Sequence, residues 1–283
     1  MRPRLWLAFA AFVLLSATRW LASDYLELAQ PTLIEQALRF SALALLFAVL
    51  SFRRLRALPI RHLIVPAALF FALPSVASAL AQGHVAAPTQ VLVFTLLPFT
   101  VILAVAGQSA SFGAEPDVRR LLIPAVAGAF GALLLIPSAL PGTARGGLLF
   151  AVPIAADISA ALAAVRLHKV LAGIPILASA TVVCAISAVV LVLFGRIGYA
   201  SPTAVSLVSQ AILTILLDAP ILLLMLYLLR ELAPIRFASR YLVIPLVTIV
   251  EGVAVLRPPI TITLCAGVLL MAGGGAALLL AKD

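Results

Sequence analysis

The sequence predicts an all-α integral membrane protein: ten transmembrane helices arranged as two inverted five-helix repeats, with both termini cytoplasmic. Three observations predict it. The 283 residues are 64% hydrophobic and 10% charged, with a mean hydropathy of +1.24, too little polar surface to coat a soluble globule of this length. Apolar runs of about 20 residues, the length a helix needs to cross about 30 Å of hydrocarbon, recur along the chain. Two pairs of segments also echo each other: LLPFTVILA at 96–104 against VIPLVTIVE at 243–251, and GAFGALLL at 128–135 against GGGAALLL at 273–280. The prolines are offset by 147 residues (245 − 98) and the glycines by 145 (273 − 128), so two echoes in the same order point to a duplicated unit.

The ten runs have cores at 5–22, 33–52, 63–81, 87–107, 121–140, 147–165, 174–194, 203–229, 240–256 and 260–281. Arg2 and Arg4 before the run from Leu5 resemble the start of a secretory signal peptide, but nine further spans favour a retained first helix. The runs lack the strict alternation of a membrane barrel strand, which leaves helices. Pro74, Pro98, Pro124, Pro153, Pro220 and Pro245 fall inside spans, where each removes a helical hydrogen bond. Pro98 and Pro245 match across the echo and are the candidate hinges. The fifth and tenth spans are almost devoid of polar side chains, and their glycines (Gly128, Gly131, Gly273, Gly274 and Gly275) read as sites of close helix packing. Those two helices are expected at the periphery or against a second subunit, as a homodimer face. The Pro- and Gly-rich stretch at 137–147 falls midway and divides the chain into repeats 1–141 and 142–283. Five spans on each side is an odd number, so the second copy must enter the membrane from the opposite face.

A net charge of +9 invites a nucleic-acid reading, but topology accounts for it. With the N-terminus inside, fourteen basic residues, from Arg2 to Lys282, lie at inner loops and tails; four lie at outer ends (Arg19, Arg145, Arg196 and Arg257), and Arg39 lies within a helix. No nucleic-acid site is needed. His62, His84 and His168 stand alone without a second ligand at i+4, so no metal site is indicated. Cys184 and Cys265 sit inside apolar runs and carry no redox message, and no cofactor motif is present.

The ionisable residues well inside spans are Asp157, Asp218, Glu251 and Arg39, and a charge at mid-bilayer costs at least about 2.5–3.5 kcal/mol. They are expected to face the bundle interior. In the eighth span Ser206, Gln210, Thr214 and Asp218 recur every four residues and form one polar stripe. Gln36, Gln90 and Trp20 add candidate substrate contacts near the outer side. Arg39 and Glu251 lie at similar depth, which allows a buried ion pair between them. Asp157 or Asp218 is either a protonation site coupled to transport or a partner for an arginine that holds helices together.

These features resemble the drug/metabolite transporter superfamily, in its EamA-like branch of ten-helix proteins built from two inverted repeats. The resemblance is carried by Leu38, Arg39 and Phe40 early in helix two, by the proline-centred fourth and ninth helices, and by GVLLMAGGGAALLL closing helix ten. It implies secondary transport or export of a small metabolite or drug-like solute by alternating access, through a cavity formed by helices one to four and six to nine, in the cell (inner) membrane. The family often has a glutamate at the end of helix nine; Arg257 holds that place here, and Glu251 falls earlier. Two other classes compete. A membrane-embedded enzyme would need a nucleophile with its base, paired aspartates or a His-rich cluster, and none is visible in the sequence. A non-transporting assembly partner would have no use for a polar stripe along one helix.

Overall fold

Inside hydrocarbon a backbone has no water to bond, so an apolar chain closes its hydrogen bonds within helices. The computed structural model describes residues 2–25, 32–52, 60–109, 118–136, 143–195, 204–256 and 261–281, and the regular structure among them is entirely helical. Ten helical segments result. They are α1 (Pro3–Tyr25), α2 (Leu33–Ser51), α3 (Ile60–Ala81), α4 (Ala87–Thr95 and Leu97–Ser109), α5 (Val118–Leu135), α6 (Ala144–Leu171), α7 (Ile176–Leu193), α8 (Ala204–Glu231 in three parts), α9 (Pro234–Ala238 and Arg240–Leu256) and α10 (Ile262–Leu280). Among the described residues nine are long and apolar enough to cross a membrane; α5 is the exception, its apolar part being the shorter Arg120–Leu135. Large apolar side chains such as Leu7, Val49 and Leu269 are more than two-thirds exposed, as a surface facing lipid requires. Much of the positive charge used for the topology argument, including Arg53, Arg54, Arg56, Arg196, Arg257 and Lys282, lies outside the described residues, as does most of the 137–147 joint.

Helix ends follow local chemistry. Thr32 caps α2 with a reciprocal box: its Oγ1 accepts from the Glu35 N–H at 3.2 Å, and Glu35 Oε2 accepts from the Thr32 N–H at 2.7 Å. Thr261 caps α10 by accepting from the Leu264 N–H at 3.1 Å. α3 and α6 each end two residues before a left-handed glycine, Gly83 (φ 79°) and Gly173 (φ 82°), the conformation glycine adopts without steric cost.

The prolines act in two ways. α3 contains a π-helical turn at Ala68–Ala72 and α8 one at Thr214–Asp218, each followed two residues later by proline, Pro74 and Pro220. In both, the residue before that proline reaches back five positions, Leu73 N–H to Ala68 O and Ala219 N–H to Thr214 O. A proline lacks an N–H and crowds the carbonyl four residues earlier, and the widened turn relieves both problems. The offset between the two turns is 146 residues (214 − 68), the same as between the two prolines (220 − 74). The hinge candidates differ from each other. α4 is interrupted at Leu96, just before Pro98, whereas Pro245 lies inside the continuous Arg240–Leu256 segment and the break in α9 falls earlier, at Ser239.

The chain packs as two compact units, Met1–Leu80 with Arg166–Glu231, and Ala81–Val165 with Leu232–Asp283. Each draws on both of the halves 1–141 and 142–283, so packing groups the helices differently from the sequence echo. In the first unit α2 lies along α7, joined by Leu33, Ala37, Ala72, Val76 and Leu191, and α1 lies against α8. In the second unit α5 lies along α10, and Ile102, Ala125, Leu242 and Leu278 tie α4, α5, α9 and α10 together. The glycines of the echo meet here. A Cβ on Gly131 would sit 2.8 Å from the Gly267 carbonyl oxygen, and one on Gly274 would sit 2.9 Å from both Cα and N of Gly128. The small-residue faces of α5 and α10, read as sites of close helix packing, are turned to each other within one chain.

That contact makes two adjacent glycines unequal. Gly274→Ala pushes a methyl into backbone and should lower stability by about 1–3 kcal/mol, the usual range for overpacking. Gly273→Ala meets nothing within 4 Å and should be neutral or slightly stabilising. Thermal unfolding of the two variants in detergent reads the contrast.

Candidate functional site

In the first unit three helices bring charge and hydrogen-bonding groups to one place. Arg19 stands six residues before the end of α1 (25 − 19) and Arg39 six residues after the start of α2 (39 − 33), so each lies about 9 Å from its nearer helix end at 1.5 Å per residue. α8 contributes Gln210, Thr214 and Asp218, spaced by four, with Thr214 and Asp218 opening and closing the π-helical turn. The Ser206 side chain, the first in the expected stripe, lies outside the described residues.

Arg19 organises the cluster. Its Nε donates to Asp218 Oδ1 at 2.9 Å, its Nη2 to Gln210 Oε1 at 3.3 Å, and its Nη1 to Ser23 Oγ. Asp218 Oδ2 accepts from Thr214 Oγ1 at 3.2 Å. Gln210 Oε1 also accepts from Arg39 Nη2, so two guanidinium groups converge on one amide oxygen. Gln210 is 5% exposed and Thr214 2%, while the side chains of Arg19 and Asp218 keep 12% and 24% of their surface. Taking a charge pair this far from water is tolerated where its nitrogens and oxygens find other partners, and here Ser23 and Gln210 each engage an Arg19 nitrogen and Thr214 the second carboxylate oxygen.

Asp157 is placed otherwise. It lies on α6 in the second unit and is 1% exposed; its Oδ2 accepts from Thr100 Oγ1 at 2.9 Å, and its buried Oδ1 has no hydrogen-bond partner among the described residues. Thr100 follows Pro98 by two residues and its Oγ1 also lies 3.0 Å from Leu97 O, an alternative acceptor for its one hydrogen, which places the carboxylate against the interrupted part of α4. Gln90 is 8% exposed and donates from Nε2 to Val85 O at 3.0 Å, so it closes the turn before α4.

Arg39 donates to Gln210, and Glu251, expected to pair with it, is half-buried on α9 in the second unit. Asp218 is joined to an arginine, and that arginine is Arg19, which the topology count had placed among the outer-end charges. α1 runs on to Tyr25, three residues past the expected core, which leaves Arg19 six residues from the helix end. Trp20 is 60% exposed: one residue on from Arg19 turns the side chain by about 100°, away from the cluster, and leaves it suited to interfacial anchoring. Gln36, half-buried, precedes Arg39 by three residues and shares its side of α2. Sequence reasoning passed over Arg19, Ser23 and Thr100; the spacing of Arg19 and Ser23 by four was the available signal for the first two.

The cluster predicts strong coupling between specific residues. Asp218→Ala leaves the Arg19 guanidinium without its counter-charge and should cost on the order of 2–4 kcal/mol, and the cost should shrink in the Arg19→Gln background. Glu251→Gln should change stability by less than about 0.5 kcal/mol. A double-mutant cycle by denaturation in detergent measures all three.

No family model matches the chain, and no curated protein matches it. Solved structures do. One, described only as "Crystal structure of protein", superposes with a TM-score of 0.73 at 18% identity, covering 98% of this chain and 96% of that one. The helical architecture is therefore a fold that experimentally solved proteins also adopt.

Proposed function

We propose that the chain is a secondary transporter that exports a small metabolite or drug-like solute by alternating access in the cell (inner) membrane, built as two inverted five-helix repeats of the EamA-like kind. The observation that carries this reading is the buried cluster of Arg19, Arg39, Gln210, Thr214 and Asp218, formed on three apolar helices at a π-helical turn. Charged groups in membrane helices are costly and concentrate where solutes or ions pass, and π-helical turns recur at functional sites. An assembly partner has no need of such a cluster, and an enzyme would need reacting groups that the cluster lacks.

Packing supports the duplication. α2 pairs with α7 and α5 with α10, each helix with the one five places later. The contact of α3 with α7 is matched by that of α8 with α2, and the contact of α4 with α5 by that of α9 with α10. The π-helical turns of α3 and α8 stand at the same offset. Five helices per copy then invert the second copy relative to the first.

Asp157 supplies the proton-coupling carboxyl in this reading, because Thr100 satisfies one oxygen and the other has no partner among the described residues. Asp218 is held by Arg19 and serves to position the cluster. In proteoliposomes, export of a panel of labelled metabolites should rise when a pH gradient is imposed. Asp157→Asn should remove the response to the gradient and keep residual flux, whereas Asp218→Asn should lower flux at every pH. If no solute moves, the transport reading fails; if Asp157→Asn responds to the gradient as the wild type does, the coupling role fails.

A further inference from the structure

Among the described residues the donors of the cluster outnumber its acceptors. Asp218 is the one carboxylate hydrogen-bonded there among those residues, and both its oxygens are taken, by Arg19 and by Thr214. Gln210 Oε1 is a single neutral acceptor shared by two guanidinium groups. Arg39 keeps a buried Nε with no hydrogen-bond partner among the described residues, although the residue as a whole is only half-buried. Glu35, one turn before Arg39 on α2, has its Oε2 committed to the Thr32 cap. A buried guanidinium N–H without an acceptor costs free energy that a planar oxyanion would recover, since Nε and the neighbouring Nη present the two parallel donors that a carboxylate or phosphate accepts.

The matching place in the other copy isolates the feature. The π-helical turn of α3 reads ALFFA where that of α8 reads TILLD, and the counterpart of Gln210 at the same 146-residue offset is Ile64. The fold builds this turn without any polar group, so the donors around α8 are not a requirement of the architecture.

We infer that Arg39, supported by Arg19 and Gln210, receives the anionic group of the solute, so that the substrate class is a small organic anion. This rests on the transport reading for the word solute, and on the unfilled donor for the word anion. Arg39 is then the binding residue; Gln210 and Asp218 hold the two guanidinium groups in place.

The test uses the full chain in uncharged detergent, with thermal unfolding followed against benzoate, succinate and phenyl phosphate, and with benzamide and benzylamine as neutral and cationic counterparts of benzoate. At least one anion should raise the unfolding midpoint in a saturable way, and benzamide and benzylamine should not. Arg39→Gln and Arg39→Lys should each raise the half-saturating anion concentration about tenfold or more, the lysine variant because it keeps the charge and loses the fork. Arg61→Gln, an exposed position in the same unit, should leave it unchanged. If Arg39→Gln fails to fold, Arg39→Lys decides alone. The inference is overturned if no anion shifts the midpoint, if benzamide or benzylamine does so equally, or if both variants respond as the wild type does. It is also overturned as a solute site if phosphatidylglycerol alone, added in mixed micelles, gives the Arg39-dependent shift, which would assign the donors to a lipid headgroup. Counterflow of the labelled anion in proteoliposomes separates the two readings. Arg39-dependent binding without flux sinks transport and keeps the anion site, whereas flux of benzylamine or benzamide alone keeps transport and sinks the anion site.

Discussion

The absence of water around the spans governs most of what this chain does with its polar groups. A carbonyl freed by proline, or a hydroxyl on an apolar helix, has to find its partner within the protein. The hydroxyls return to their own helices: Ser16 donates to Phe12 O at 2.7 Å, Ser51 to Phe47 O at 2.6 Å and Thr248 to Ile244 O at 3.0 Å. Pro74 and Pro220 are accommodated by widening the turn before them, and Thr214 and Asp218, at the two ends of the second widened turn, are hydrogen-bonded to each other. The cluster around Arg19 obeys the same rule with higher stakes, because a guanidinium has five donors and each of its three nitrogens is engaged.

How far this could be read in advance depended on whether a property was local. Span positions followed from runs of apolar residues, which is why the expected cores and the described helices agree to within a few residues over most of the chain. The every-fourth spacing of Gln210, Thr214 and Asp218 is likewise a one-helix property, and it marks the side of α8 that meets Arg19 and Arg39. Partner choice is a tertiary property and was not readable. Depth alone made Arg39 and Glu251 a plausible pair, but depth says nothing about which helices are neighbours, and α2 packs with α7 and α8 while α9 packs with α4, α5 and α10. Arg19 was misplaced for a simpler reason, since a few residues of uncertainty at a helix end decide whether an arginine counts as flanking or internal.

The two packing units answer different needs. In the second, Gly131, Gly267 and Gly274 let α5 and α10 approach until backbone meets backbone, a contact with little room to adjust. In the first, the α1, α2 and α8 cluster is held by hydrogen bonds and an ion pair, which can exchange partners without a cavity opening. Placing the exchangeable interactions on one side and the close backbone packing on the other is the division of labour that a carrier of the proposed kind would use.

The paired π-helical turns carry a meaning of their own. A π turn is an α-helix with one residue added, and the added residue rotates everything beyond it by about 100° relative to everything before it. The segments 68–72 and 214–218 share no identical residue at any aligned place, yet both contain the insertion and both place a proline two residues beyond. If the halves descend from one unit, helical phase has outlasted every side chain around it. Removing a single residue from either turn would then be a harsher change than any substitution within it, because it would rotate a whole half-helix and present a different face to all its neighbours.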